Sequence, residues 1–126
     1  MNGFWLYLLL SGVLIPCLMI VFGFVFVRKV PKNINIWYGY RTARSMKNDD
    51  TWCFAHHHLG RTWIIVGGIL FVSSVLPMIA VVGKDDDTVS LVSLLITAVQ
   101  LVVMIASIVP TELALKKIFD ENGNRK

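Results

Sequence analysis

The stretch TWIIVGGILFVSSVLPMIAVVG, residues 62–83, holds no Asp, Glu, Lys, Arg or His. A helix rises about 1.5 Å per residue, so roughly 20 residues cross a hydrocarbon core about 30 Å thick, and this run meets that length. Apolar residues fall on every side of it, which leaves no polar stripe to face water and excludes a soluble helical bundle. Residues 3–27 and 88–111 are uncharged runs of the same kind. The sequence therefore predicts an all-α integral membrane protein, a three-helix bundle forming one membrane domain over residues 1–126. The spans are expected at about 4–27, 63–82 and 89–109, with a structured cytoplasmic loop over 28–62 and a tail over 110–126.

Composition agrees, with 56% apolar residues and a mean hydropathy of +0.67. The first run reads as a retained span, because no basic residue precedes Phe4 and Arg28 and Lys29 follow it like a stop-transfer flank.

Orientation follows from the basic residues. Arg28, Lys29, Lys32, Arg41, Arg44, Lys47 and Arg61 lie in the loop, Lys116, Lys117, Arg125 and Lys126 in the tail, and only Lys84 in the link between spans two and three. Basic flanks stay inside, which places the N-terminus outside and the loop and C-terminus in the cytoplasm. The loop, with Asp49 and Asp50 as its acidic residues, has a net charge of +5 and is expected to lie against anionic headgroups. That accounts for the basic balance without a nucleic-acid partner. Cys17 lies in a span and Cys53 in the loop, so both are expected as free thiols.

The third span carries a polar and small-residue seam, Ser90, Ser93, Thr97, Gln100, Met104, Ser107 and Thr111, on one helix face. Such a face marks packing in lipid, and the second span is expected to answer it with Gly60, Gly67 and Ser74. Pro16, Pro77 and Pro110 each remove a helical hydrogen bond, to Gly12, Ser73 and Ala106, and are expected to bend their helices. Glu112 to Phe119 reads as a short amphipathic continuation that stops at Asn122-Gly123.

The loop is too rich in aromatic residues, Gly, Arg and Asn for a passive linker. Gly39, between Tyr38 and Tyr40, suits a tight turn at headgroup level, with Trp37 as an interfacial anchor. Thr42 is placed to cap a short turn through Ser45. Asn48 or Asp49 is placed to cap a helix that runs on into the second span. On that helix Trp52, Ala55, His56, Leu59 and Trp63 share a face, which brings Arg41 near Trp52 and His56 when the loop folds back.

These residues resemble the short three-span members of the SdpI/YfhL family, bacterial membrane proteins named for immunity to a secreted killing peptide. The resemblance rests on Asn35, Gly39, Arg41, Thr42, Ser45, Asn48, Trp52, Ala55, His56 and Gly60 at family-like spacing. It implies a protein of the bacterial cytoplasmic membrane that protects its host from a membrane-active peptide. It makes Asn35, Gly39, Arg41, Thr42, Asn48, Trp52 and His56 the candidate binding residues.

The residues suggest two other chemistries. His56, His57 and His58 point about 100° apart on a helix and do not converge on one ion. Asp49, Cys53 and His57, spaced by four, are the better metal stripe, but Asp49 is also a natural cap and Cys53 a common apolar filler. A nucleophilic Cys53 with His57 lacks a third, orienting group. No cofactor is expected. Arg41 has two readings, a bidentate grip on a phosphate or carboxylate, or a structural pairing with Asp49, Asp50 or Glu112. Three functions remain open: a non-enzymatic immunity factor that binds a peptide toxin or its target, an accessory subunit of a larger membrane complex, and a small lipid-headgroup or metal-dependent enzyme. Three helices bury little surface, so a homo-oligomer is a further option.

Overall fold

A computed structural model describes residues 3–31, 34 and 39–126. Among these residues the chain is helical throughout its regular structure: α1 (Gly3–Gly12), α2 (Leu14–Arg28), α3 (Asp49–Ala80), α4 (Asp86–Ala106) and α5 (Ile108–Ile118). The α1–α2 pair, α3 and the α4–α5 pair are each long and apolar enough to cross a membrane, so the protein is a multi-pass membrane protein. Lipid-facing side chains such as Leu94 and Val102 are about two-thirds exposed, at 66% and 67%. Only a hydrocarbon solvent makes such a surface favourable.

The breaks between paired helices have a covalent cause. Proline at 16 and 110 has no N–H to give to the carbonyl four residues back, and the helix assignment lapses at Val13 and Ser107, each three residues before the proline. Pro77 differs, because α3 runs through it without a break and ends three residues later. The 32 residues of α3 span about 48 Å, well beyond the hydrocarbon thickness, so its first turns stand clear of the bilayer. Asn48 starts it: its side chain accepts from Thr51 N–H while Thr51 Oγ1 accepts from Asn48 N–H.

The tightest packing joins α2 to α3, backbone on backbone. A Cβ on Gly23 would lie 2.7 Å from the Gly60 carbonyl oxygen, and a Cβ on Gly60 would lie 2.7 Å from that of Gly23. A Cβ on Gly67 would meet Ile20 at 2.8 Å. This corrects the expectation that Gly60 and Gly67 receive the third span. They face the first, because a small-residue stripe marks close approach without naming the neighbour.

The α4–α5 pair is held instead by polar bonds from its seam. Gln100 Nε2 donates to the Gly12 carbonyl at 2.5 Å and to Ser74 Oγ at 2.6 Å. The Gly12 carbonyl is the one that Pro16 deprives of its helical donor. Trp63 Nε1 donates to Ser107 Oγ at 2.8 Å, and His58 Nδ1 lies 2.8 Å from Thr111 Oγ1. Ser93, Gln100, Ser107 and Thr111 are buried, as the seam predicts, while Ser90 is exposed. At the far end Trp5 donates to the Met78 carbonyl at 2.8 Å and packs with Val89.

The C-terminus folds back rather than trailing along an interface. The helix ends at Ile118, four residues before the expected stop, and Gly123, at φ +85°, turns the chain so that Phe119 and Arg125 pair. Asn48 Nδ2 donates to the Gly123 carbonyl at 2.7 Å, and Arg125 grips both oxygens of Asp50 at 2.8 and 2.9 Å. Loop and C-terminus therefore share one end of the bundle.

Candidate binding site at the loop end

The first turns of α3 form a peg to which the loop is tied. Trp52 is 1% and His56 0% exposed. Trp52 Nε1 donates to the Pro31 carbonyl at 2.9 Å, which fixes the start of the loop. His56 Nε2 accepts the Tyr40 amide N–H at 2.8 Å, which fixes its return. His56 Nδ1 lies 2.8 Å from the Trp52 carbonyl, a group that can only accept. One imidazole nitrogen must therefore donate while the other accepts, so the ring is neutral with its proton on Nδ1. Phe26 meets this ring edge-on at 4.9 Å between centroids.

Gly39 is required on two counts. Its φ of +104° lies in the left-handed region, and a Cβ there would lie 2.6 Å from His56 Nε2. Beyond it, Thr42 and Ser45 close a turn by exchanging bonds, Thr42 N–H to Ser45 Oγ and Ser45 N–H to Thr42 Oγ1. Thr51 Oγ1 lies 3.0 Å from the Ser45 carbonyl, so this turn is joined to the cap of α3.

Tyr40 adds a link to the third span. Its hydroxyl donates to Glu112 in a short hydrogen bond, and Arg44 Nε lies 3.9 Å from the other carboxylate oxygen. Burial, and then the adjacent Glu112 carboxylate, push the Tyr40 phenol well above its ordinary pKa, so it remains a donor. Four residues outside the expected binding set thus complete the lock: Tyr40, Ser45, Thr51 and Glu112. Ser45 was expected as a turn residue and Glu112 as a partner for Arg41, while Thr51 went unread although it stands three residues after the cap Asn48.

Of the sequence-expected site residues, Gly39, Thr42, Asn48, Trp52 and His56 are engaged in this lock. Asn35 lies outside the described residues, as do Trp37 and Tyr38. The expected pairing of Arg41 with an acidic residue does not form: Glu112 is held by Tyr40 and Arg44, Asp50 is held by Arg125, and Asp49 is exposed. The contact expected between Arg41 and His56 is made by the Tyr40 amide instead. Asp49, Cys53 and His57 lie on an exposed side of α3, and no metal-holding group of His, Cys, Asp and Glu occurs among the described residues.

Arg41 itself is exposed at the edge of a groove of about 270 Å³. The groove walls are Phe26, Leu59, Trp63 and Ile108, one or two residues from each span, and its rim is Gly39 to Thr42. A larger cavity of about 400 Å³ lies under the tail, where Arg44 and Lys47 face Asp120 and Glu121 and the charges offset one another.

Three membrane-crossing helices, a polar loop pinned to the second, and an arginine-rimmed apolar groove define a small helical membrane protein built around its loop. A family model described as the SdpI/YfhL protein family matches residues 32–111, from the loop through α3 and α4 to Thr111. The chain belongs to that family. It finds no match among curated proteins or solved structures.

Proposed function

We propose that this protein is a non-enzymatic binding protein of the bacterial cytoplasmic membrane that protects the cell from a membrane-active peptide. The observation that carries the reading is the division of labour in the loop. Gly39, Thr42, Asn48, Trp52 and His56 are engaged in holding the loop on α3, while Arg41 stands exposed and without an ion-pair partner among the described residues, above an apolar groove. A guanidinium above hydrocarbon walls suits an amphipathic ligand with an anionic end, such as a peptide carboxylate at the inner leaflet. His56 is buried with both ring nitrogens occupied, and Cys53 is exposed outside the groove, so neither is placed as a catalyst there.

In this reading the basic loop and the C-terminus face the cytoplasm and the N-terminus lies outside. The test is survival of a host sensitive to the secreted killing peptide from which the family takes its name. Cells producing this chain should survive a dose that kills cells carrying an empty vector. Equal killing of the two would remove the reading.

A further inference from the structure

We propose that a second groove, inside the bilayer between α3 and α4, seats a foreign transmembrane helix that presents one uncharged hydrogen-bond donor at mid-membrane depth. The groove has about 300 Å³ of space between walls that include Leu70, Leu95 and Val99, with Ser73, Ser74 and Gln100 as polar members. The proposal stands apart from the immunity reading, since it concerns a different site and requires no toxin.

The groove is lined by Gln100, whose side-chain oxygen its own helices leave unpaired. Gln100 is 1% exposed, and both hydrogens of its Nε2 are committed to Gly12 and Ser74. Ser74 Oγ donates to the Leu70 carbonyl at 2.6 Å, so it has no proton left for Gln100. Flipping the amide would turn its oxygen onto the Gly12 carbonyl, acceptor against acceptor, so the orientation is fixed. Gln100 Oε1 is then a buried acceptor without a partner among the described residues. Pro77, which has no N–H, also denies the Ser73 carbonyl its usual helical donor. In hydrocarbon an unmet acceptor is costly, and a seated donor recovers that cost.

Depth decides what supplies the donor. Gln100 lies near the middle of the run Asp86–Ile118, roughly 15 Å from either headgroup layer, and acyl chains carry no N–H or O–H. A charged donor is too costly at that level, which leaves a neutral hydroxyl, amide or indole on a polypeptide. A second copy of this chain is poorly suited. Its lipid-facing surface near that depth is apolar, Phe71 included, apart from Ser11, whose hydroxyl is given to the Tyr7 carbonyl, and Ser73, which is itself part of the groove. Leu95 and Val99, 58% and 57% exposed, are the covering side chains that move aside as the helix seats.

The test uses the full chain in phosphatidylcholine vesicles and two synthetic leucine-rich transmembrane helices, with association read by energy transfer between fluorophores. One helix carries a central Trp. The other carries benzothienylalanine, the same shape with sulfur in place of the indole N–H. The Trp helix should bind about threefold or more tightly than its isostere, the factor that a membrane hydrogen bond of about 0.6 kcal/mol supplies. Leu95→Trp, which fills the groove and leaves the bonds of Gln100 intact, should weaken both helices and abolish the difference. Equal binding of the two helices to the native chain, or an unchanged preference in the filled variant, overturns the proposal.

Discussion

The Tyr40 amide N–H points at His56 Nε2 across 2.8 Å, and that bond joins the return of the loop to a ring whose other nitrogen is held by its own helix. An imidazole in this position must be neutral and must accept, so the histidine acts as a structural fastener. Replacing it with alanine orphans the Tyr40 N–H and opens a hole beside Phe26 and Trp52. His56→Ala should cost about 2–4 kcal/mol, read as a lowered melting midpoint in mild detergent. His57→Ala, one residue along on the exposed side, should leave the midpoint unchanged within error.

The α2–α3 contact has no room for a methyl group. At Gly23 and Gly60 the obstruction is the opposing carbonyl, which cannot swing away as a side chain does. Gly60→Ala should therefore force the helices apart and cost about 1–3 kcal/mol by unfolding in denaturing detergent. Gly68→Ala is the control, since a Cβ there meets nothing within 4 Å.

Pro16 and Gln100 form a coupled pair through the Gly12 carbonyl. Gln100→Leu leaves that carbonyl unmet and should cost roughly 1 kcal/mol. Pro16→Ala restores an N–H at position 16 for the same carbonyl, so the loss from Gln100→Leu should be smaller in that background. A double-mutant cycle on unfolding free energy measures the difference, and strictly additive effects would contradict the account.

Asn48 serves the cap of α3 and the docked tail at once. Asn48→Ala should cost about 1 kcal/mol and expose the tail, seen as faster tryptic cleavage after Lys117. Arg125→Ala should speed the same cleavage with little change in overall melting, because the Asp50–Arg125 pair is exposed and screened by salt.

The spans were legible because hydrocarbon imposes length and apolarity on a helix regardless of its neighbours. Asn48, Trp52 and His56 were legible for a local reason: they share a capped helix whose face is written at spacings of three and four. What sequence could not supply was the partner. Gly60 looked like a seat for the third span and receives Gly23, because smallness records only proximity. Glu112 looked like a partner for Arg41 and is taken by Tyr40 and Arg44, since several basic and hydroxyl groups reach that end of the bundle. The tail docks through Gly123 and Arg125, contacts 75 residues from Asn48 and Asp50 in sequence that no local pattern encodes.

In the function proposed above, the loop motif divides between residues that hold the fold and Arg41, which would meet the ligand. Protection by Arg41→Ala against the killing peptide, at a membrane level matched to the native chain, tests that most directly. On that proposal, protection should be lost while the melting midpoint stays within about 2 °C of native, as for an exposed side chain with no ion-pair partner among the described residues. Full protection by Arg41→Ala would contradict it.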